Sequence, residues 1–208
     1  MKRPPGISIS RLAIYLRFLE EYLKEQGLKS TINSAQLARY LDMHPHQIRK
    51  DLSYFGKFGE RGVGYHVQEL KDNIAKILGL NRKWNLCLCG AGNLGSALCA
   101  YKGFKEINLN IVALFDSDVR KIGKYIQGIK VYSPKTIVST VKELKIDMAI
   151  IAVPLENAQT IADKLIASGI RAILNFAPVK LNVPGHVKLR NADLSIELVN
   201  LAHFLSSP

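Results

Sequence analysis

Three glycines at fixed spacing, Gly90, Gly92 and Gly95, stand between a short apolar run, Leu86 to Cys89, and a helix-forming run that begins Ser96-Ala-Leu98. A strand that turns sharply into a helix through such a loop belongs most naturally to a parallel α/β sheet. The three glycines serve separate purposes. Gly90 permits the tight turn, Gly92 lets the backbone approach a pyrophosphate, and Gly95 lets the helix pack closely on the sheet. With Ala91, Asn93 and Leu94 between them, the loop would turn free N–H groups and the positive end of the helix dipole toward phosphate. A glycine loop alone is weak evidence, but here a strand precedes it and a helix follows. An acidic residue is also expected about 20 positions on. Asp116 meets that expectation: it ends the strand-like run Ile111 to Phe115, where its carboxylate can accept hydrogen bonds from ribose hydroxyls. The expected ligand is a dinucleotide.

From Trp84 onward, strand and helix patterns alternate. Strands are expected at 84–89, 110–115, 129–132, 147–153 and 171–176, with a sixth near 186–190; helices are expected at 93–100, 118–124, 134–144 and 156–168. This alternation predicts an α/β fold, a Rossmann-type doubly wound parallel sheet. Val153-Pro154 and Asn175-Phe176 end two of its strands on the carboxyl side, where such sheets hold ligands.

The N-terminal part has a different pattern. An amphipathic helix is expected over 8–26, with Leu12, Tyr15, Leu16, Leu19, Tyr22 and Leu23 on one face and Gly27 as its stop. Asn33 or Ser34 can cap a short helix over 35–41, and Asp42 to Pro45 makes a turn into another over 46–55. Two short helices around a tight turn predict a helix-turn-helix, whose second helix enters a major groove. Gly56, Gly59, Gly62 and Gly64, followed by Tyr65-His-Val67, read as a β-hairpin wing with a mobile tip. A helix over 67–78 completes this part. The formal net charge of +12 is shared by both halves of the chain; it favours polyanionic partners without locating a face. The candidate contacts to double-stranded DNA are Ser34, Gln47, Arg49, Lys50, Ser53, Tyr54 and Lys57, with Arg61 at the wing tip directed to a minor groove.

The expected division is 1–80 as a winged-helix DNA-binding domain, 81–193 as a Rossmann NAD(H)-binding domain, and 194–208 as a C-terminal helix. In that helix Leu194, Leu198, Leu201 and Leu205 fill one face, while Ile196 and Phe204 project elsewhere. Such a helix needs burial on more than one side, and a subunit interface or an exchange between the subunits of a dimer supplies it. Cys87, Cys89 and Cys99 fit neither a zinc site nor a redox pair and read as packing residues in a reducing cytoplasm. No apolar run suits a membrane span, and no metal cluster is evident. An NAD-dependent dehydrogenase with a basic extension is one alternative, but none of the five histidines (44, 46, 66, 186 and 203) sits in a catalytic setting. A CoA- or nucleotide-binding module of similar fold is another.

Taken together, Gln47-Ile-Arg-Lys-Asp-Leu-Ser-Tyr-Phe-Gly56, Arg61-Gly-Val-Gly-Tyr65, Gly90 to Leu98 and Ile173-Leu-Asn-Phe-Ala-Pro178 resemble the Rex family of redox-sensing transcriptional repressors over nearly the whole chain. The resemblance implies a homodimer that binds operator DNA when NADH is low and releases it when NADH rises, with the last helix exchanged and no catalysis. It further implies major-groove contacts by Arg49 and Lys50, a minor-groove contact by Arg61, ribose binding by Asp116, and Tyr101 near the nicotinamide. Arg17 and Asp193 would pair across the dimer. The chain departs from the family pattern at His44-Pro45, where a small capping residue is usual, and at Leu194, where some members carry an aromatic.

Overall fold

The structure, a computed structural model, describes residues 4–206. The chain divides into two compact units between Arg82 and Lys83.

In the first unit, helix α1 (Gly6–Gln26) buries Leu12, Tyr15, Leu16 and Leu19, and Gly27, at φ 83°, ends it. A two-residue strand, β1 (Thr31–Ile32), precedes α2 (Ser34–Tyr40). Asn33 caps α2: its side chain accepts from the N–H groups of Ala35 and Gln36, while the Gln36 side chain accepts from the Asn33 N–H. Helix α3 (Pro45–Ser53) starts with proline in its first turn, and the His44 side chain makes no capping bond. Strand β2 (Tyr65–His66) and helix α4 (Val67–Ile77) follow. Ile48 and Leu52 of α3 join Leu12, Leu19, Leu37, Leu70 and Ile74 in one core, so the period-3.6 reading of these helices holds.

The wing differs from expectation. Glu60 and Gly64 exchange backbone hydrogen bonds of 2.8 and 3.0 Å, closing the turn before an incoming strand of any length can form. β2 pairs antiparallel with β1 instead of with the segment just before the turn. The buried Tyr65 ring anchors it there, against the helical core.

The second unit holds β3 (Trp84–Cys89), α5 (Asn93–Ala100), α6 (Gly103–Glu106), β4 (Leu109–Phe115), β5 (Tyr125–Ile126), β6 (Ile129–Tyr132), α7 (Ile137–Glu143), β7 (Met148–Ile151), α8 (Leu155–Ala167), β8 (Ala172–Asn175), β9 (Lys188–Asn191) and α9 (Leu194–Ser206). The sheet order is β5-β6-β4-β3-β7-β8-β9, parallel except for the β5–β6 hairpin. The winding direction reverses between β3 and β7, as in Rossmann-type sheets, and a ligand crevice opens at that point. Alternate residues serve opposite faces. Cys87, Cys89, Phe115 and Ile151 pack with Ile137, Ile161 and Leu165, while Leu86, Leu88, Leu114 and Ile150 pack on the other side with Leu98 and Cys99. The thiols of Cys87 and Cys89 are free and buried; Cys99 is half-buried, and burial pushes its thiol up to about 11.

The helix expected at 118–124 is absent. That segment makes consecutive turns, with the Lys121 N–H donating to the Asp118 carbonyl and the Lys124 N–H to that of Lys121, and Gly123 at φ 84° leads into the β5–β6 hairpin. Seven residues containing a left-handed glycine cannot recover the cost of helix nucleation. At the other end α9 buries none of its residues: Leu198 is 67% exposed, Phe204 76% and Leu205 83%.

Candidate cofactor cleft and nucleic-acid interface

The β3–α5 turn is built by close backbone approach. Gly90 has φ 101°, and a Cβ there would strike the Ala152 carbonyl; a Cβ on Gly95 would strike the Gly90 carbonyl oxygen. Space in front of Gly92 is open to 4 Å, and no side chain caps the start of α5. A phosphate group fits that opening and the uncapped N–H groups. The adjoining cleft has a volume of about 450 Å³, and Gly90, Gly92, Asp116, Val153 and Pro154 line it as expected.

Asp116, the expected ribose ligand, is already held by internal partners. One of its carboxylate oxygens accepts from the Ala91 N–H at 2.8 Å and from the Lys121 ammonium at 3.2 Å, while the other accepts from the Asp118 N–H at 2.8 Å. Lys121 also donates to the Ala91 carbonyl at 3.0 Å. Burial acts to raise the Asp116 pKa, but the N–H groups of Asp118 and Ala91 and the Lys121 ammonium together hold it below the usual carboxylate range. The carboxylate is therefore ionised and aimed before any ligand arrives. Asp116→Ala should weaken both NAD+ and NADH by about 10- to 100-fold, the scale of a lost hydrogen bond to a charged group. Calorimetry on the two cofactors checks this, and unchanged affinities would contradict it.

The other expected cofactor residues are placed differently. Tyr101 is 55% exposed at the end of α5, edge-on to Phe104 at 5.1 Å between ring centroids. Asn93 and Leu94 are exposed on the first turn of α5. Asn175 is buried and turned inward, donating to the carbonyls of Ala177 and Val179 and to Asn191 Oδ1; it fixes the turn after β8 and does not line this cleft. Phe176 packs on the sheet. Sequence reasoning missed Lys121, which a wrongly expected helix concealed. It also missed Asn157, Thr160, Ile161 and Lys164, one face of α8 at helical spacing along the cleft wall.

In the first unit, a depression of about 490 Å³ brings Ser34, Arg49 and Arg61 together. Arg49 donates from Nη1 to the Ser34 hydroxyl at 2.8 Å, which holds the guanidinium between α2 and α3. A second, open depression of about 660 Å³ lies at the start of α3, lined by Gln47 and Arg49 with Arg11, His44 and His46. Lys50, Ser53 and Lys57 are exposed and Tyr54 half-buried, and none of the four lines either depression. Beneath this surface lies a group the sequence did not reveal. Asp51 of α3 is buried, and its carboxylate accepts from Ser8 Oγ at 2.8 Å, Arg11 Nε at 2.5 Å and Nη2 at 2.7 Å, Tyr15 Oη at 2.8 Å and Gln47 Nε2 at 3.0 Å. Burial acts to raise the Asp51 pKa, but the bonds from Arg11, Tyr15 and Ser8 outweigh it and leave the group below its usual range.

Arg17 and Asp193 stand in separate units, each with a local partner. Arg17 faces Glu21 at 3.7 Å on the exposed side of α1. Asp193 accepts from the N–H and hydroxyl of Ser195 at 3.0 and 2.5 Å, which holds its carboxyl below the usual range and caps the start of α9. Leu194, Leu198, Leu201 and Leu205 are all exposed on α9.

Comparison with known proteins agrees with this division. Residues 5–53 match the family model described as a putative DNA-binding protein N-terminus, and residues 81–179 match the CoA binding domain. A redox-sensing transcriptional repressor Rex from Pelotomaculum thermopropionicum is 50% identical over 93% of this chain and 90% of its own length. One from Carboxydothermus hydrogenoformans is 49% identical over 93% and 92%. Among solved structures, RSP in complex with β-NAD+ and operator DNA superposes with a TM-score of 0.92 at 39% identity, covering 99% of this chain and 94% of that one. RSP in complex with β-NADH superposes at 0.86 and 38%, covering 97% and 93%. With this identity over nearly the full length of both partners, the chain belongs to the Rex family of redox-sensing transcriptional repressors.

Proposed function

We propose that this protein reads the NADH/NAD+ ratio in the cytoplasm and represses transcription as a homodimer, holding operator DNA until NADH binds. The observation that carries the reading is the pairing, in one chain, of the ionised and aimed Asp116 beside an open glycine loop with a basic helix-turn-helix surface. The RSP structures with β-NAD+ and operator DNA and with β-NADH support it. On this reading the cofactor is measured and not consumed, so the protein is no enzyme; the relatives' name as repressors supports that too.

NAD+ and NADH differ at one ring, cationic and planar against neutral and puckered. An apolar nicotinamide pocket favours the neutral ring, because burying an unpaired charge is costly. A ligand shifts an equilibrium only by its differential affinity for the two states. Moving it from 1:99 to 99:1 takes about 5.5 kcal/mol, or about 2.7 kcal/mol at each of two sites in a dimer. The Arg17–Asp193 pair is the proposed contact that forms in only one state. The contacts to surrender are local, Arg17 with Glu21 and Asp193 with the N–H and hydroxyl of Ser195.

The exposed leucines of α9 are the proposed dimer surface, since a fully buried Leu, Ile or Phe contributes about 1.5–3 kcal/mol relative to exposure. Leu198→Glu with Leu201→Glu should give a monomer in size-exclusion chromatography with light scattering; a persistent dimer would place the interface elsewhere. The whole reading is tested by fluorescence anisotropy on a labelled, selected operator at fixed salt. The protein should retain DNA in NAD+ and release it on titration with NADH, and retention unaffected by NADH would reject the reading.

A further inference from the structure

Gln47 and Asp51 lie one helical turn apart on α3, and the Gln47 amide nitrogen donates to the Asp51 carboxylate at 3.0 Å. An ionised carboxylate only accepts, so this contact fixes which end of the amide faces inward. The carboxylate cannot swing away to release it, because Ser8, Arg11 and Tyr15 of α1 hold it with four further hydrogen bonds. Gln47 Oε1 has no hydrogen-bond partner among the described residues, and the side chain lines the open depression beside Arg11, His44 and Arg49. Gln47 Oε1 is therefore held as an acceptor on the side of the amide away from Asp51, with the second Nε2 hydrogen beside it.

We propose that Gln47 is a specificity-determining residue that reads a major-groove amino group, adenine N6 or cytosine N4, and that Asp51 is the positioning residue that keeps its amide from turning over. An unrestrained glutamine presents donor or acceptor as the base requires. Here guanine O6 or thymine O4 opposite Gln47 Oε1 would bring two acceptors face to face, and the amide, held through Nε2 by Asp51, does not exchange its two ends to relieve them. This inference rests on the DNA-reading role of α3 proposed above.

The test uses operators in which single bases are replaced by analogues. Purine deoxyriboside for adenine and 2-pyrimidinone for cytosine delete the amino group; 2-aminopurine for guanine and 5-methyl-2-pyrimidinone for thymine delete the keto oxygen. At one position in each half of the operator, amino deletion should weaken the wild-type protein roughly tenfold and leave Gln47→Met unaffected. Keto deletion should cost both proteins equally at every position. Asp51→Asn, whose amide can donate as well as accept, should lose part of the amino sensitivity, an effect that mere loosening of the helix would not produce. If that variant does not fold at the assay temperature, the comparison with Gln47→Met decides alone. The proposal is overturned if no amino deletion separates wild type from Gln47→Met, or if a keto deletion does. A wild-type protein that retains no operator would overturn both this inference and the reading beneath it.

Discussion

Gly95→Ala should lower NADH affinity by on the order of 100-fold or more while leaving operator binding intact and unresponsive to NADH. The added methyl has nowhere to go, since its Cβ would collide with the Gly90 carbonyl oxygen and press on Leu88 Cδ2 at 3.0 Å. A flexible side chain could yield at little cost, but Gly90 is backbone and is itself pinned. Its φ of 101° suits glycine, and its N–H donates to the Phe115 carbonyl at 2.8 Å. Overpacking of this kind costs about 1–3 kcal/mol even where neighbours adjust. Here the adjustment moves the start of α5, whose N–H groups are the proposed phosphate site, so much of the cost falls on binding. Titration calorimetry with NADH and a gel shift on the same sample separate the two functions, and wild-type NADH affinity in Gly95→Ala would contradict the loop's assigned role.

Asp51→Ala should destabilise the DNA-reading unit by about 3–5 kcal/mol, the range for removing one partner of a buried ion pair. Arg11 would lose a carboxylate bonded through both Nε and Nη2, and the hydroxyls of Ser8 and Tyr15 would lose their acceptor. For a unit of this size the shift in melting temperature is roughly 12–40 °C. Hydrogen exchange across α1 and α3 in the intact chain should accelerate accordingly, and wild-type protection would show that the network contributes little. The same carboxylate sets a pH dependence. Its folded pKa lies below the unfolded value, near 3.9 for aspartate. The stability it contributes is therefore fully present above about pH 4 and is lost as the pH falls through the folded value. The acid limb of the stability curve should be shallower in Asp51→Ala.

These two groups also mark what a sequence reading can and cannot reach. The glycine loop and Asp116 were legible because strand, turn, helix and carboxylate follow one another at short, regular spacing. The same holds for the helices of the first unit, whose apolar stripes repeat locally, and for the six parallel sheet strands, displaced by at most two residues at their ends, but not for the two-residue edge strand β5. Asp51 was invisible for the opposite reason. In a basic helix an aspartate looks like a solvated charge, and the residues that bury it, Ser8, Arg11 and Tyr15, lie 36 to 43 positions upstream. Lys121 was hidden because seven residues with two lysines and an arginine suggested a helix, whereas Gly123 favours a turn. Two-residue strands such as β1 carry no periodicity, so the partner of β2 had to come from tertiary structure.

The central claim is that one equilibrium links the cofactor cleft to the DNA-reading surface, and linkage makes it reciprocal. Whatever factor saturating NADH imposes on operator affinity, operator must impose on the two NADH sites taken together. The direct measurement is calorimetric titration of NADH into the free protein and into its operator complex, at the same salt and temperature. NADH binding should be at least about 100-fold weaker at each site in the complex, and the product of the two sites' factors should equal the factor by which saturating NADH weakens operator binding. Equal NADH affinity in the two samples would contradict it.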